Sequence, residues 1–165
     1  MVDDESLILS IDTATPCSSV ALTRGTRKNG KVLASLSLNT RLTHSRRLLA
    51  IIDYLLSATD VDWTSIEAVV VSLGPGSFTG LRIGMATAKG LAFGAGKPMV
   101  GVSTLDGLAS KCAPSPWICS VLDARKKEVY AAFYRTDEEG LTVLSGVPMV
   151  ISPEKLAGYI TEPVV

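Results

Sequence analysis

Apolar and polar positions alternate through the first forty residues. Leu7-Ile8-Leu9-Ser10-Ile11-Asp12 is a short apolar run ending on a carboxylate, Thr13-Ala14-Thr15-Pro16 turns the chain, and Ser19-Val20-Ala21-Leu22 returns with period two. This pattern predicts a β-hairpin. A polar turn over residues 25–30 leads to Lys31-Val32-Leu33-Ala34-Ser35-Leu36-Ser37-Leu38, whose alternation predicts a third, half-exposed strand. After Thr43, His44 and Ser45 the spacing becomes helical to about Ser57, with Leu48, Leu49, Ile51, Ile52, Leu55 and Leu56 apolar. That arc is wider than the single stripe needed to sit on a sheet, so the helix is expected to bury two sides.

Ala68-Val69-Val70-Val71-Ser72-Leu73 reads as a buried strand, and the stretch after it organises the chain: Gly74-Pro75-Gly76-Ser77-Phe78-Thr79-Gly80-Leu81-Arg82-Ile83-Gly84. It is a strand-to-helix loop, in which Ser77 or Thr79 caps the helix that follows. Such a loop either packs a helix on a sheet or approaches a phosphate. It lacks the Gly-Lys-Ser/Thr ending of a Walker loop and the glycine pattern of a dinucleotide site. The helix from Gly80 to Phe93 carries only Arg82 and Lys89 as charges. Its pairs Gly84/Ala88 and Ala86/Gly90 leave two small-residue grooves into which another helix could pack. A strand at 98–103 and a helix from Ser103 or Thr104 to about Lys111 complete a first lobe of order βββαβαβα.

Ile118-Cys119-Ser120-Val121-Leu122-Asp123 then echoes the opening run. A turn at Ala124-Arg125-Lys126-Lys127, a return strand over 128–134, a third strand near 141–151 and a helix at 153–160 follow. The fold class is therefore α/β, a duplicated lobe that by fold-level analogy resembles the actin/Hsp70/sugar-kinase plan with ribonuclease-H-like lobes. The first lobe is expected over residues 1–110, and an incomplete second lobe over 111–165. This is the expectation for a fragment of a longer protein or for a chain trimmed to an ordered portion.

Composition narrows the class without choosing a function. With 47% hydrophobic and 19% charged residues, the 165-residue chain is globular and rich in apolar surface. Sixteen basic and sixteen acidic residues leave no net charge, which argues against strong unaided nucleic-acid binding. One local asymmetry qualifies this: Arg24, Arg27, Lys28, Lys31, Arg41, Arg46 and Arg47 occur with no acidic residue between them. This is a solvated hairpin and helix start, or a nucleic-acid contact. The opening Met1-Val2-Asp3-Asp4-Glu5 is acidic, unlike a secretory signal, and no apolar run reaches the length of a membrane span, so a cytoplasmic protein is expected. Cys17, Cys112 and Cys119 have no metal-like spacing and are expected to be reduced.

Five motifs carry a resemblance. The glycine stretch from Gly74 to Gly84, Ile11-Asp12-Thr13-Ala14-Thr15, His44-Ser45, Gly101-Val102-Ser103-Thr104-Leu105 and Asp123-Ala124-Arg125-x-x-Glu128-Val129-Tyr130, in this order, closely resemble the TsaB (YeaZ) family. The resemblance implies a non-catalytic partner in the machinery that installs threonylcarbamoyl on adenosine 37 of tRNA. It implies a heterodimer with the catalytic paralogue TsaD, joined by the ATPase TsaE, and a homodimer in isolation. It also implies contact with tRNA only through the complex, and no membrane. Members usually continue through a complete second lobe, of which this sequence is expected to hold only the first part.

The residues set limits on chemistry. Catalytic relatives hold a metal with two histidines four apart on the first helix, whereas His44 is the single histidine here and Leu48 stands four positions on. No catalytic residue and no metal ligand is assigned. Asp12, Thr13 and Asp123 sit at the hairpins that flank phosphates and magnesium in ATPases of this superfold, so they are candidate vestigial phosphate or metal positions. Weak nucleotide binding is the only cofactor reading they support. Ser77 and Thr79 have no base nearby and are read as caps, and Glu128 near Arg125 as a cross-strand charge pair. The interface is expected on the two over-apolar helices, through Leu48, Leu49, Ile52, Leu56, Arg82, Gly84, Met85, Ala88 and Leu91. The competing function is a stand-alone actin-like ATPase or phosphotransferase, or a glycoprotease-like metallohydrolase.

Overall fold

The structure is a computed structural model that describes residues 6–26, 29–39, 45–112 and 114–165; the side chains of Ser45 and Arg46 are not described. The chain divides into two units, Met1–Leu73 with Ser77–Val102, and Gly74–Gly76 with Ser103–Val165.

The first unit is built on strands β1 (Leu7–Asp12), β2 (Cys17–Arg24), β3 (Lys31–Asn39), β4 (Ile66–Gly74) and β5 (Met99–Ser103), in the sheet order β3-β2-β1-β4-β5. β1 pairs antiparallel with β2 and parallel with β4. The alternation read from the sequence sets this register, because Leu9 faces Leu22 and Val69, while Ile11 faces Val20 and Val71. All six are buried. A one-residue slip would turn each of them to the other face of the sheet.

Two helices cover that apolar face, α1 (Ser45–Ala58) and α2 (Phe78–Ala95). On α1 the buried residues are Leu48, Ile51, Ile52, Leu55 and Leu56, a single stripe at helical spacing. The expectation that α1 buries two sides is thus corrected: Leu49 and Tyr54 remain 46% and 63% exposed. α2 begins two residues earlier than expected, because Ser77 Oγ accepts a hydrogen bond from Gly80 N and caps the first turn. It ends on Gly96, whose φ of 63° lets the chain leave the helix. A 3-10 turn at Trp63–Ser65, capped by Asp62, joins α1 to β4.

The second unit is the antiparallel sheet β6 (Ile118–Arg125), β7 (Glu128–Thr136) and β8 (Thr142–Ile151), with helices α3 (Thr104–Ala109) and α4 (Pro153–Ala157). Leu105 and Ala109 of α3 cluster with Ile118, Ala132 and Tyr134, so α3 belongs with this sheet. The sequence reading placed everything to residue 110 in the first lobe. The difference arises because Leu105 and Ala109 pack with Ile118, Ala132 and Tyr134 of β6 and β7 rather than with the core of the first unit. No helix among the described residues is long and apolar enough to cross a membrane.

Candidate functional site

The glycine loop is held on the β1–β2 turn. Ser77 N donates to the Ala14 carbonyl at 2.6 Å, and Thr13 Oγ1 donates to the Gly80 carbonyl at 2.7 Å. The approach is so close that a Cβ on Gly80 would lie 2.1 Å from the Thr13 carbonyl oxygen. One on Gly84 would lie 2.2 Å from Thr13 Oγ1. Glycine is required at both places by the β1 turn of the same chain. Thr13 is buried and its hydroxyl is committed to α2.

The two hairpin carboxylates do similar local work. Asp12 Oδ1 accepts from Ala14 N at 2.9 Å, and Asp123 Oδ1 accepts from Arg125 N at 2.7 Å, each closing a turn. Asp123 also meets the Arg125 guanidinium at 3.9 Å, an exposed pair of small energetic value. Arg125 and Glu128 are register partners as expected, but the ion pair of Arg125 runs to Asp123. Arg125, Lys126 and Lys127 all take positive φ, a turn with no glycine to announce it. Among the described residues no three histidine, cysteine, aspartate or glutamate side chains come together as a metal-sized group. His44, Arg27, Lys28 and Arg41 lie outside the described residues. The three cysteines are free, and burial raises the pKa of the Cys119 thiol.

The helix positions expected at an interface divide into two groups. Leu48, Ile52, Leu56, Gly84 and Ala88 are buried within the first unit, which corrects their assignment to a partner-facing surface. Their physical role is to seat α1 and α2 on the sheet. Leu49 and Arg82 are exposed, and Met85 and Leu91 are half-buried at the edge of the core. Of the two small-residue grooves, Gly84/Ala88 faces inward, together with Gly80 and Ala92. Ala86/Gly90 faces solvent.

The outward face of α2 runs through Phe78, Arg82, Ala86, Lys89, Gly90 and Phe93. Phe78 is 68% exposed with the Arg82 guanidinium 3.8 Å from its ring centre, and Phe93 is 91% exposed. A Cβ on Gly90 or Gly94 would meet nothing within 4 Å among the described residues. Shallow cavities flank this face, one of about 310 Å³ beside Phe78, Ile83 and Ala86. Another, of about 500 Å³, lies between Trp63, Gly90, Leu91 and Gly94. The sequence reading missed Phe78 and Phe93 as surface residues, since an apolar residue on an apolar helix does not declare its side.

In the second unit, fully buried Tyr134 donates its hydroxyl to Asp106 Oδ1 at 2.7 Å, tying α3 to β7. Burial, then the Asp106 hydrogen bond and charge, push the phenol pKa well above its usual value. A group whose folded pKa is raised contributes stability that is complete below its unfolded pKa, near 10, and is lost as pH rises toward the folded value. The expected result is that Tyr134→Phe costs on the order of 1 kcal/mol at neutral pH. It should also abolish the tyrosine-linked loss of stability above about pH 10. Urea unfolding of both proteins at pH 7 and at alkaline pH measures this.

Residues 32–164 match the family model described as TsaD, tRNA N6-adenosine threonylcarbamoyltransferase. The tRNA threonylcarbamoyladenosine biosynthesis protein TsaB of Escherichia coli is 41% identical over 150 residues, 89% of this chain and 63% of that protein. TsaB of Bacillus subtilis is 34% identical over 129 residues, 78% of this chain and 55% of that protein. The solved structure of YeaZ from Pseudomonas aeruginosa superposes with a TM-score of 0.78 at 32% identity, covering 90% of this chain and 68% of that one. The chain thus spans between half and two thirds of the length of these curated relatives.

Proposed function

The chain belongs to the TsaB (YeaZ) family, and from that premise we propose that it is a non-catalytic partner in tRNA threonylcarbamoyladenosine biosynthesis, binding the TsaD paralogue through the outward face of α2. The observation that carries the reading is that face itself. Gly90 and Gly94 cost helix stability, about 1 kcal/mol each relative to alanine, and no neighbour among the described residues requires them. With exposed Phe93 between them and exposed Phe78 nearer the helix start, they give a surface of small side chains that admits a second helix at close range. On α1, Leu49 and Tyr54 are exposed apolar residues as well.

In this reading a homodimer forms when TsaD is absent, TsaE joins the assembled pair, and tRNA is met only in the complex, in the cytoplasm. The competing ATPase reading draws less support, because Thr13 Oγ1 is committed to the Gly80 carbonyl and Asp12 to its own turn. Sedimentation of the chain with and without TsaD tests the proposal, alongside measurement of ATP turnover by the chain alone. A concentration-dependent complex without turnover is the expected result. Magnesium-dependent turnover by the isolated chain with no complex would replace the proposal with the ATPase reading.

A further inference from the structure

The second unit contains a cavity unrelated to the α2 face. On β7, Phe133 lies in register with Cys119 of β6 and Ser145 of β8. Cross-strand partners share a sheet face, and period two adds Trp117, two residues before Cys119, to the same side. Trp117, Phe133 and Ser145 indeed line one cavity of about 240 Å³. Its other wall is the segment that follows α4, with Tyr159, Ile160 and Glu162. That segment is fixed at both ends. Tyr159 N donates to the Leu156 carbonyl at 2.9 Å. Val165 N donates to the Trp117 carbonyl at 3.2 Å, while the Val165 carbonyl accepts from Cys119 N at 2.9 Å.

Three of the nine aromatic residues of the chain, one of each type, therefore converge on a single cavity with one carboxylate and no lysine or arginine in its lining. Aromatic rings attract cations through the negative potential of their faces, and a carboxylate adds a full charge of the same sense. A ligand that is apolar in shape but positive in charge satisfies both properties; an anion satisfies neither. The volume corresponds to roughly eight water-sized groups, enough for a compact alkylammonium.

We propose that this cavity binds an alkylammonium group, with Trp117, Phe133 and Tyr159 as the aromatic wall and Glu162 as the counter-charge. Choline is the probe, and 3,3-dimethylbutan-1-ol, which has the same shape without the charge, is its control. Both are titrated into the isotope-labelled chain while the amide signals of residues 159–165 are followed. Choline should give saturable shifts with a dissociation constant on the order of millimolar, and the neutral alcohol should bind at least about tenfold more weakly. Glu162→Gln should weaken choline several-fold and leave the alcohol unchanged, and Tyr159→Ala should weaken choline as well. Both residues are exposed, so an unchanged thermal midpoint is the folding control. Absence of saturable shifts with choline, equal binding of the alcohol, or full choline affinity in Glu162→Gln would each overturn the proposal.

Discussion

Gly80→Ala is expected to lower the thermal midpoint of this protein, although alanine is the better helix former. In an open helix the replacement would add up to about 1 kcal/mol of stability. Here the added methyl would sit 2.1 Å from the Thr13 carbonyl oxygen, a backbone atom that cannot rotate away. Overpacking of this kind costs about 1–3 kcal/mol, occasionally more. For a chain of this size, each kcal/mol corresponds to about 2–4 °C in midpoint. Gly84→Ala meets a different obstacle, the Thr13 side-chain oxygen at 2.2 Å. The two variants should therefore separate on a Thr13→Ala background. Removing the hydroxyl should recover on the order of 1 kcal/mol or more for Gly84→Ala, and nothing for Gly80→Ala. Calorimetry of the three single and two double variants decides the matter, and additivity in the Gly84 cycle would show that the Thr13 side chain is not what confines α2 there.

Association should be lost more completely than stability when the outward face of α2 is altered. Gly90→Ala is expected to stabilise the isolated chain by about 0.5–1 kcal/mol, because nothing lies within reach of the new methyl. Gly90→Glu should leave the chain folded and reduce binding to TsaD by at least a hundredfold. Its carboxylate and bulk would stand where a helix must approach, and burying an unpaired charge is costly. Ala88→Glu, only two residues earlier, should instead unfold the protein, since Ala88 is fully buried in the core of the first unit. Binding isotherms paired with thermal midpoints separate the two cases. A Gly90→Glu variant that binds TsaD normally would remove this face from the interface. An Ala88→Glu variant that folds normally would mean that α2 is rotated from the orientation described.

The strands were legible because their pattern is one-dimensional. Alternation in β1 and β2 and the unbroken run in β4 state both the element and its buried face, and the register of Leu9, Leu22 and Val69 follows from them. The sides of α2 were not legible. Gly80, Gly84, Ala88 and Ala92 form one stripe of small residues, and Ala86, Gly90 and Gly94 form another, so hydrophobic periodicity has no phase there. What chooses the inward stripe is Thr13, 67 residues before Gly80, and no local spacing records that. Tyr134 and Asp106 are likewise 28 positions apart. The turn at Arg125, Lys126 and Lys127 adopts left-handed backbone without the glycine that would have marked it. The motifs behind the family resemblance were plain in the sequence. Of the residues expected at an interface on this helix, Arg82 lies on the surface with the Ala86/Gly90 groove, whereas Gly84 and Ala88 lie in the core.

The uneven seating of α2 also sets how it moves. Its first two turns are clamped by the Thr13 hydroxyl, the Ser77 cap and contacts that leave no room for a methyl group. Its last two turns hold Gly90 and Gly94 against open space, anchored through Ala92 alone among the fully buried positions after Ala88. Amide exchange along one continuous helix should then span a wide range. Protons near Leu81 to Ala88 would exchange only with opening of the whole unit, and those beyond Gly90 through local fraying. A helix built this way keeps one end fixed while the other adjusts its backbone to whatever lies against it.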